Sequence, residues 1–223
     1  MLFVRGTLLV FAGLALAGCM RSGPVFDANF TARDKQQLAN PPYQQVWIPP
    51  AYQRQVVQYY RKEAPGSVVV DTDGRYVYYV LPEGRAIRYG AIVGENGQAW
   101  SGGEATVGRK EEWPGWTPTE GEKRRLGPLP NYVEGGARNP MGARALYLYA
   151  GGKDTLYRIH GTNQPEYIGH AISSGCIRLT NEDVIDLYSR VKTGATVVVL
   201  GPKQGPARVA SAGSSDLNYR PMN

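Results

Sequence analysis

The stretch "GSVVVDTDGRYVYYVLPEGRAIRYGAIVG", residues 66 to 94, constrains the fold more than any other part of this chain. Three runs in it, "SVVVD", "RYVYYVL" and "RAIRYGAIV", are dense in β-branched and aromatic residues. Such side chains lose rotamer freedom in a helix and pack well on a pleated surface. Thr72-Asp73-Gly74 and Pro82-Glu83-Gly84 separate the runs, and these residue types turn a chain back on itself. The segment therefore predicts a β-meander and a sheet-based core. Composition agrees: the 223 residues include 28 glycines, 16 prolines and 15 tyrosines. With 42% hydrophobic and 20% charged residues, the chain has enough apolar material for one domain with appendages.

Further strands are expected in "ARALYLYA" and "TLYRIHG", joined across Gly151-Gly152-Lys153-Asp154, and in the closing "ATVVVLG". Between them, Thr180 and Asp183 form a capping pair ahead of Val184, Ile185, Tyr188 and Val191, which recur at helical spacing. A short amphipathic helix over 181–191 follows from that pattern. The glycine- and proline-rich span from Trp100 to Tyr132 is long for a connection and predicts a lid over about 100–135. From Met20 to Pro65 the chain is polar and interrupted by Pro41-Pro42 and Pro49-Pro50. It reads as a tether and strap over 19–65, with a short helix at Ala51 to Glu63; packing of Tyr52 to Tyr60 on the domain is the alternative. The globular domain is placed at 66–201, and the aperiodic 202–223 reads as a disordered tail.

The N-terminus carries Arg5 and then an apolar run from Thr7 to Ala17, too short to span a bilayer. That is a secretory signal, assigned to residues 1–18. Leu16-Ala17-Gly18-Cys19 resembles a bacterial lipobox, which makes Cys19 the lipidated first residue of the mature protein. An ordinary signal peptide would leave Cys19 free or removed. Met20 stands where an aspartate would mark inner-membrane retention, so the outer membrane is favoured for a periplasmic, lipid-anchored protein. The net charge of +6 comes without a dense Lys/Arg block, which suits an anionic envelope surface better than nucleic acid. Acylation of Cys19 would leave Cys176 as a lone thiol in an oxidising compartment.

"HGTNQPEYIGHAISSGCIRLTN", residues 160 to 181, holds both histidines, His160 and His170, together with Cys176. A thiol is a strong nucleophile only as thiolate, and a histidine within reach can take its proton. His160 ends an expected strand, and Cys176 sits on a loop leading into a helix, so the two can meet at one sheet edge. Ser173-Ser174-Gly175 supplies small residues whose backbone N–H groups can approach a substrate, as an oxyanion site requires. The residues alone leave an inert cysteine and a structural histidine open. A metal site from His160, His170 and Cys176 lacks the paired spacing of zinc motifs.

"IHGTN" followed by "SSGCIRLTNEDVIDLY" resembles the signature of the L,D-transpeptidases, the YkuD domain family, and the likeness extends over most of 66–200. The resemblance implies a mainly β fold with a short helix, a β-sandwich or barrel-like sheet core. It also implies acylation of Cys176 by the diaminopimelate of a peptidoglycan tetrapeptide stem, release of D-alanine, and transfer to an amine with His160 moving the proton. Gly161 would orient His160 through its carbonyl, and the N–H groups of Gly175 and Cys176 are candidates for the oxyanion site. Arg178 would hold a donor carboxylate or brace the loop, and Ser173 and Ser174 would shape the loop or bond substrate. Trp113, Trp116 and Tyr132 are expected as cleft walls. No metal or organic cofactor is needed. Many members carry His immediately before Gly-Cys, where this chain has Ser174, and His170 does not fill that place. Envelope proteins, other stems and D-amino acids are all open as acceptors. A carboxypeptidase or cysteine peptidase using water, and a non-catalytic wall-binding lipoprotein, are the other classes.

Overall fold

The computed structural model describes residues 29–95 and 102–201. The signal segment, Cys19, Trp100 and the tail from 202 lie outside the described residues. The described part begins with helix α1 (Ala32–Ala39) and strand β1 (Gln55–Gln58). The meander follows as β2 (Val68–Asp71), β3 (Tyr76–Leu81) and β4 (Arg85–Gly90), with antiparallel pairing throughout. A short β5 (Val93–Gly94) precedes the long β6 (Gly103–Glu112) and helix α2 (Glu120–Leu126). β7 (Arg144–Ala150) and β8 (Lys153–His160) form the second antiparallel unit. β9 (Ala171–Ser173), β10 (Ile177–Arg178), helix α3 (Asn181–Arg190) and β11 (Thr196–Leu200) complete the domain.

Among the described residues, nine strands form one mixed sheet in the order β1-β4-β3-β2-β11-β6-β7-β8-β10, and β5 pairs with β9 alongside. β11 closes the middle, parallel to β2 on one side and antiparallel to β6 on the other. Alternation along β2 explains its continuous apolar run: Val68 and Val70 enter the main core, while Val69 packs with Val57, Tyr59 and Tyr78 on the opposite face. The meander half of the sheet is therefore covered on both sides. α3 packs on β7; of the expected stripe Val184, Ile185 and Val191 are buried and Tyr188 half-buried, and Leu187 joins them in the core. The Thr180 hydroxyl accepts the Asp183 N–H at 3.1 Å and starts this helix.

Two expectations are corrected. The stretch from Ala51 to Glu63 is not a helix; a single 3₁₀ turn at Pro50–Tyr52 leads into β1, which pairs with β4. Val56 is exposed and Val57 buried, so a two-residue period governs here because an open strand edge supplies backbone partners. The span 100–135 is likewise not all lid, since β6 lies in the middle of the sheet. Its glycines mislead: a side chain at Gly108 would meet the Tyr149 ring at 2.4 Å, and the register shifts between Val107 and Arg109. Gly108 marks a bulge under a crossing aromatic ring.

The strap is welded to the domain by one buried carboxylate. Thr31 and Asp34 form a capping box at the start of α1. Asp34, fully buried, also accepts from Arg144 at 2.9 and 2.6 Å and from the Trp113 indole at 2.9 Å. Burial opposes its charge, yet the hydrogen bonds from Arg144 and Thr31 hold its carboxyl below the ordinary value. Replacing Asp34 by alanine strands the Arg144 guanidinium and the indole N–H away from water. The expected loss is about 3–5 kcal/mol in urea denaturation, with an Asp34→Ala/Arg144→Met pair recovering most of it.

Candidate active site

β10 is only two residues long and lies parallel to the end of β8, with Ile177 opposite Ile159 and Arg178 opposite His160. Side chains two apart on a strand share a face. Arg158 and His160 from β8, and Arg178 and Cys176 from β10 and the residue before it, accordingly line one cavity of about 620 Å³. The ladder is held from both sides. Leu179 donates its N–H to the His160 carbonyl at 2.8 Å, and Ile92 exchanges backbone hydrogen bonds with Arg178 at 2.8 and 2.9 Å.

His160 is buried, and its Nδ1 lies 2.7 Å from the Gly161 carbonyl. A carbonyl only accepts, so Nδ1 carries the hydrogen and Nε2 keeps the lone pair. Burial, with the Arg178 charge adding to it, pulls the imidazole down to about 3, against the carbonyls of Gly161 and Met141. Burial also pushes the Cys176 thiol up, while the Arg158 main-chain N–H and the Arg178 and Arg158 charges work against that rise. Burial therefore works against the thiolate and the imidazolium alike. The thiol sits 3.9 Å from the Leu156 carbonyl, which a β8 bulge presents with Leu156 at φ 64°.

Gly161 is fixed by space: a Cβ there would meet Asn181 Oδ1 at 2.3 Å and the Ala143 nitrogen at 2.9 Å. Asn181 is buried and ties three segments together, accepting from Ala143 N–H at 2.8 Å and donating to the Thr162 carbonyl at 2.9 Å and the Tyr43 hydroxyl at 2.8 Å. The histidine's orienting carbonyl therefore rests on the first residue of α3 and on the strap.

The other expected site residues divide. Ser173 is completely buried; its hydroxyl accepts the Gly175 N–H at 3.1 Å and donates to the Cys176 carbonyl at 2.5 Å. It braces the nucleophile loop, faces no substrate and occupies the Gly175 N–H that was expected in the oxyanion site. Ser174 lines the cavity and accepts from the Arg125 guanidinium of α2. Arg178 lines it too, 3.4 Å from the Gln164 amide oxygen, and no carboxylate lies within 4.0 Å of it among the described residues. Trp116 is a cavity wall, but Trp113 is a buried core residue bonded to Asp34. Tyr132 is exposed and packs over Gly115, outside the cavity lining. His170 is exposed beside Tyr167, away from Cys176. Arg158, Leu156, Glu122 and Arg125 escaped the sequence reading; the two-residue period back from His160 points to Arg158, and the Thr119–Glu122 capping box marks the start of α2 but not its place beside the cavity.

A family model described as the L,D-transpeptidase catalytic domain, YkuD, matches residues 65–199. The chain belongs to this family. Curated relatives include "Probable L,D-transpeptidase ErfK/SrfK" of Escherichia coli K12, 32% identical over 84% of this chain and 56% of that protein. "Probable L,D-transpeptidase YbiS" of the same strain is 39% identical over 59% of this chain and 43% of that protein. The chain spans about half the length of the curated relatives it matches. A crystal structure from Brucella melitensis, described as a "Probable carnitine operon oxidoreductase", is 45% identical over 69% of this chain and 96% of that one, with a TM-score of 0.46.

The buried neutral His160 makes stability depend on pH. Its folded value lies below the unfolded one of about 6.5, so the unfolded chain binds more protons across the window from about 6.5 down to about 3. The stabilisation is present above that window and is lost as pH falls through it. Comparing urea denaturation at pH 7 and 4.5, His160→Gln is expected to lose less stability than the parent, by on the order of 2 kcal/mol.

Proposed function

We propose that this protein is a peptidoglycan L,D-transpeptidase: Cys176 is acylated by the diaminopimelate of a tetrapeptide stem, D-alanine leaves, and the acyl group passes to an amine. The observation that carries this reading is the cavity shared by Cys176, His160 with Nε2 as its basic nitrogen, and a cationic Arg178 that forms no ion pair among the described residues. On attack, the Cys176 S–H proton moves to His160 Nε2 as sulfur bonds to the carbonyl carbon. The oxyanion falls to the Cys176 N–H, since Ser173 holds that of Gly175. His160 returns the proton to the departing amine of D-alanine, leaving a thioester. The incoming amine then attacks the thioester carbonyl, gives a proton to His160, and the thiol is restored as the amide forms. Trp116 and Ser174 border the path.

The same reading places the protein in the periplasm, held by lipid on Cys19, with the outer membrane favoured and stems or envelope proteins as amine donors. Among the described residues no helix is long and apolar enough to cross a membrane. Cys19→Ala is expected to move the protein from the detergent phase to the soluble fraction of cell extracts, and an unchanged distribution refutes the anchor.

The direct test incubates the full chain with a disaccharide-tetrapeptide and follows intact mass and products. A thioester adduct with release of D-alanine is expected, absent in Cys176→Ala and slowed about 10²–10⁴-fold in His160→Ala. An added D-amino acid should then be captured as an amide. Tripeptide alone, with amine present, selects the carboxypeptidase reading. Neither adduct nor product from a folded protein selects the wall-binding lipoprotein.

A further inference from the structure

The α2 helix sets a second guanidinium against the nucleophile loop. Arg125 donates to the Ser174 hydroxyl, two residues before Cys176, and its charge acts on Arg178. Burial, together with the Arg125 charge, draws Arg178 below its ordinary value, against Cys176 and the nearby Glu122. Neither arginine has a carboxylate within 4.0 Å among the described residues. Glu122 is engaged at the helix start, where its carboxylate accepts from the Thr119 N–H at 2.8 Å and hydroxyl at 2.9 Å. Like charges that act on one another repel. Glu122 lines the same cavity and its charge acts on Arg178, but its carboxylate is held at the helix start and pairs with neither fork, which leaves both open to an incoming carboxylate bound in a planar, directional way.

We infer that Arg125 is the second half of a carboxylate clamp: with Arg178 it holds the free C-terminal carboxylate of the donor's departing residue, and so selects donors that end in an acid. The inference rests on the transpeptidase reading and deepens it. Ser174 then has a defined part, anchoring Arg125 over the loop.

The test measures acylation of Cys176 by a tetrapeptide stem with a free C-terminus and by the same stem ending in a primary amide. The parent protein should prefer the acid about tenfold or more in kcat/KM. Arg125→Gln should collapse that preference to within about twofold, mostly through KM, and Arg125→Lys should keep part of it because the charge remains. Alkylation of Cys176 by neutral iodoacetamide should match between parent and Arg125→Gln, which separates substrate binding from mere support of the loop. Acylation by both donors with an unchanged preference in Arg125→Gln overturns this inference alone. Acylation by neither donor, with the parent folded, overturns the transpeptidase reading and this one with it.

Discussion

The site depends on one very short piece of pairing, the two-residue parallel ladder between β10 and the end of β8. It alone brings residues sixteen positions apart, His160 and Cys176, onto one face. Two residues of ladder are weak in isolation, so neighbours over-determine the position: Ile92 pairs with Arg178 on the outer side, Ser173 ties the loop before Cys176 into a closed turn, and α3 starts at once from the Thr180 cap. Reacting groups must be held closely to count as pre-organised, and here backbone hydrogen bonds do the holding.

Burial then sets the resting chemistry. Desolvation penalises the thiolate and the imidazolium alike. The Arg158 N–H aimed at the sulfur and the Arg178 charge favour the anion once it forms. The same logic runs through the strap: Asp34 stays ionised because every hydrogen bond to it favours the charged form, and through Arg144 and Trp113 it joins α1 to the sheet that carries the site.

Much of this was legible locally. The meander, β7, β8, β11 and α3 follow from alternation, turn residues and a cap, because those signals are written within a few residues of where they act. β1 and β6 were not, and the reasons differ. β1 lies in a polar, proline-flanked segment and becomes a strand only because the edge of β4 offers partners. β6 carries glycines that look like loop until the ring of Tyr149 is laid across Gly108. Trp113 and Trp116, three residues apart and alike in sequence, part company for a similar reason: a buried carboxylate from a distant helix claims the first, and the cavity receives the second.

The sequence by itself determined the kinds of group available and their local setting: a lone thiol after small residues, a histidine ending a strand, a glycine behind it, and an arginine two places beyond the cysteine. Side-chain chemistry and short-range backbone preference suffice for that. Only the tertiary structure decided which of these groups meet and in what state. Non-local pairing fixed the shared face, burial set the direction in which both titrations shift, Ser173 was drawn inward as a brace, and α2, whose Thr119–Glu122 cap is legible, was brought to the cavity only by packing. Distances and desolvation belong to the packed chain, and residues far apart in sequence acquire them only when the sheet closes.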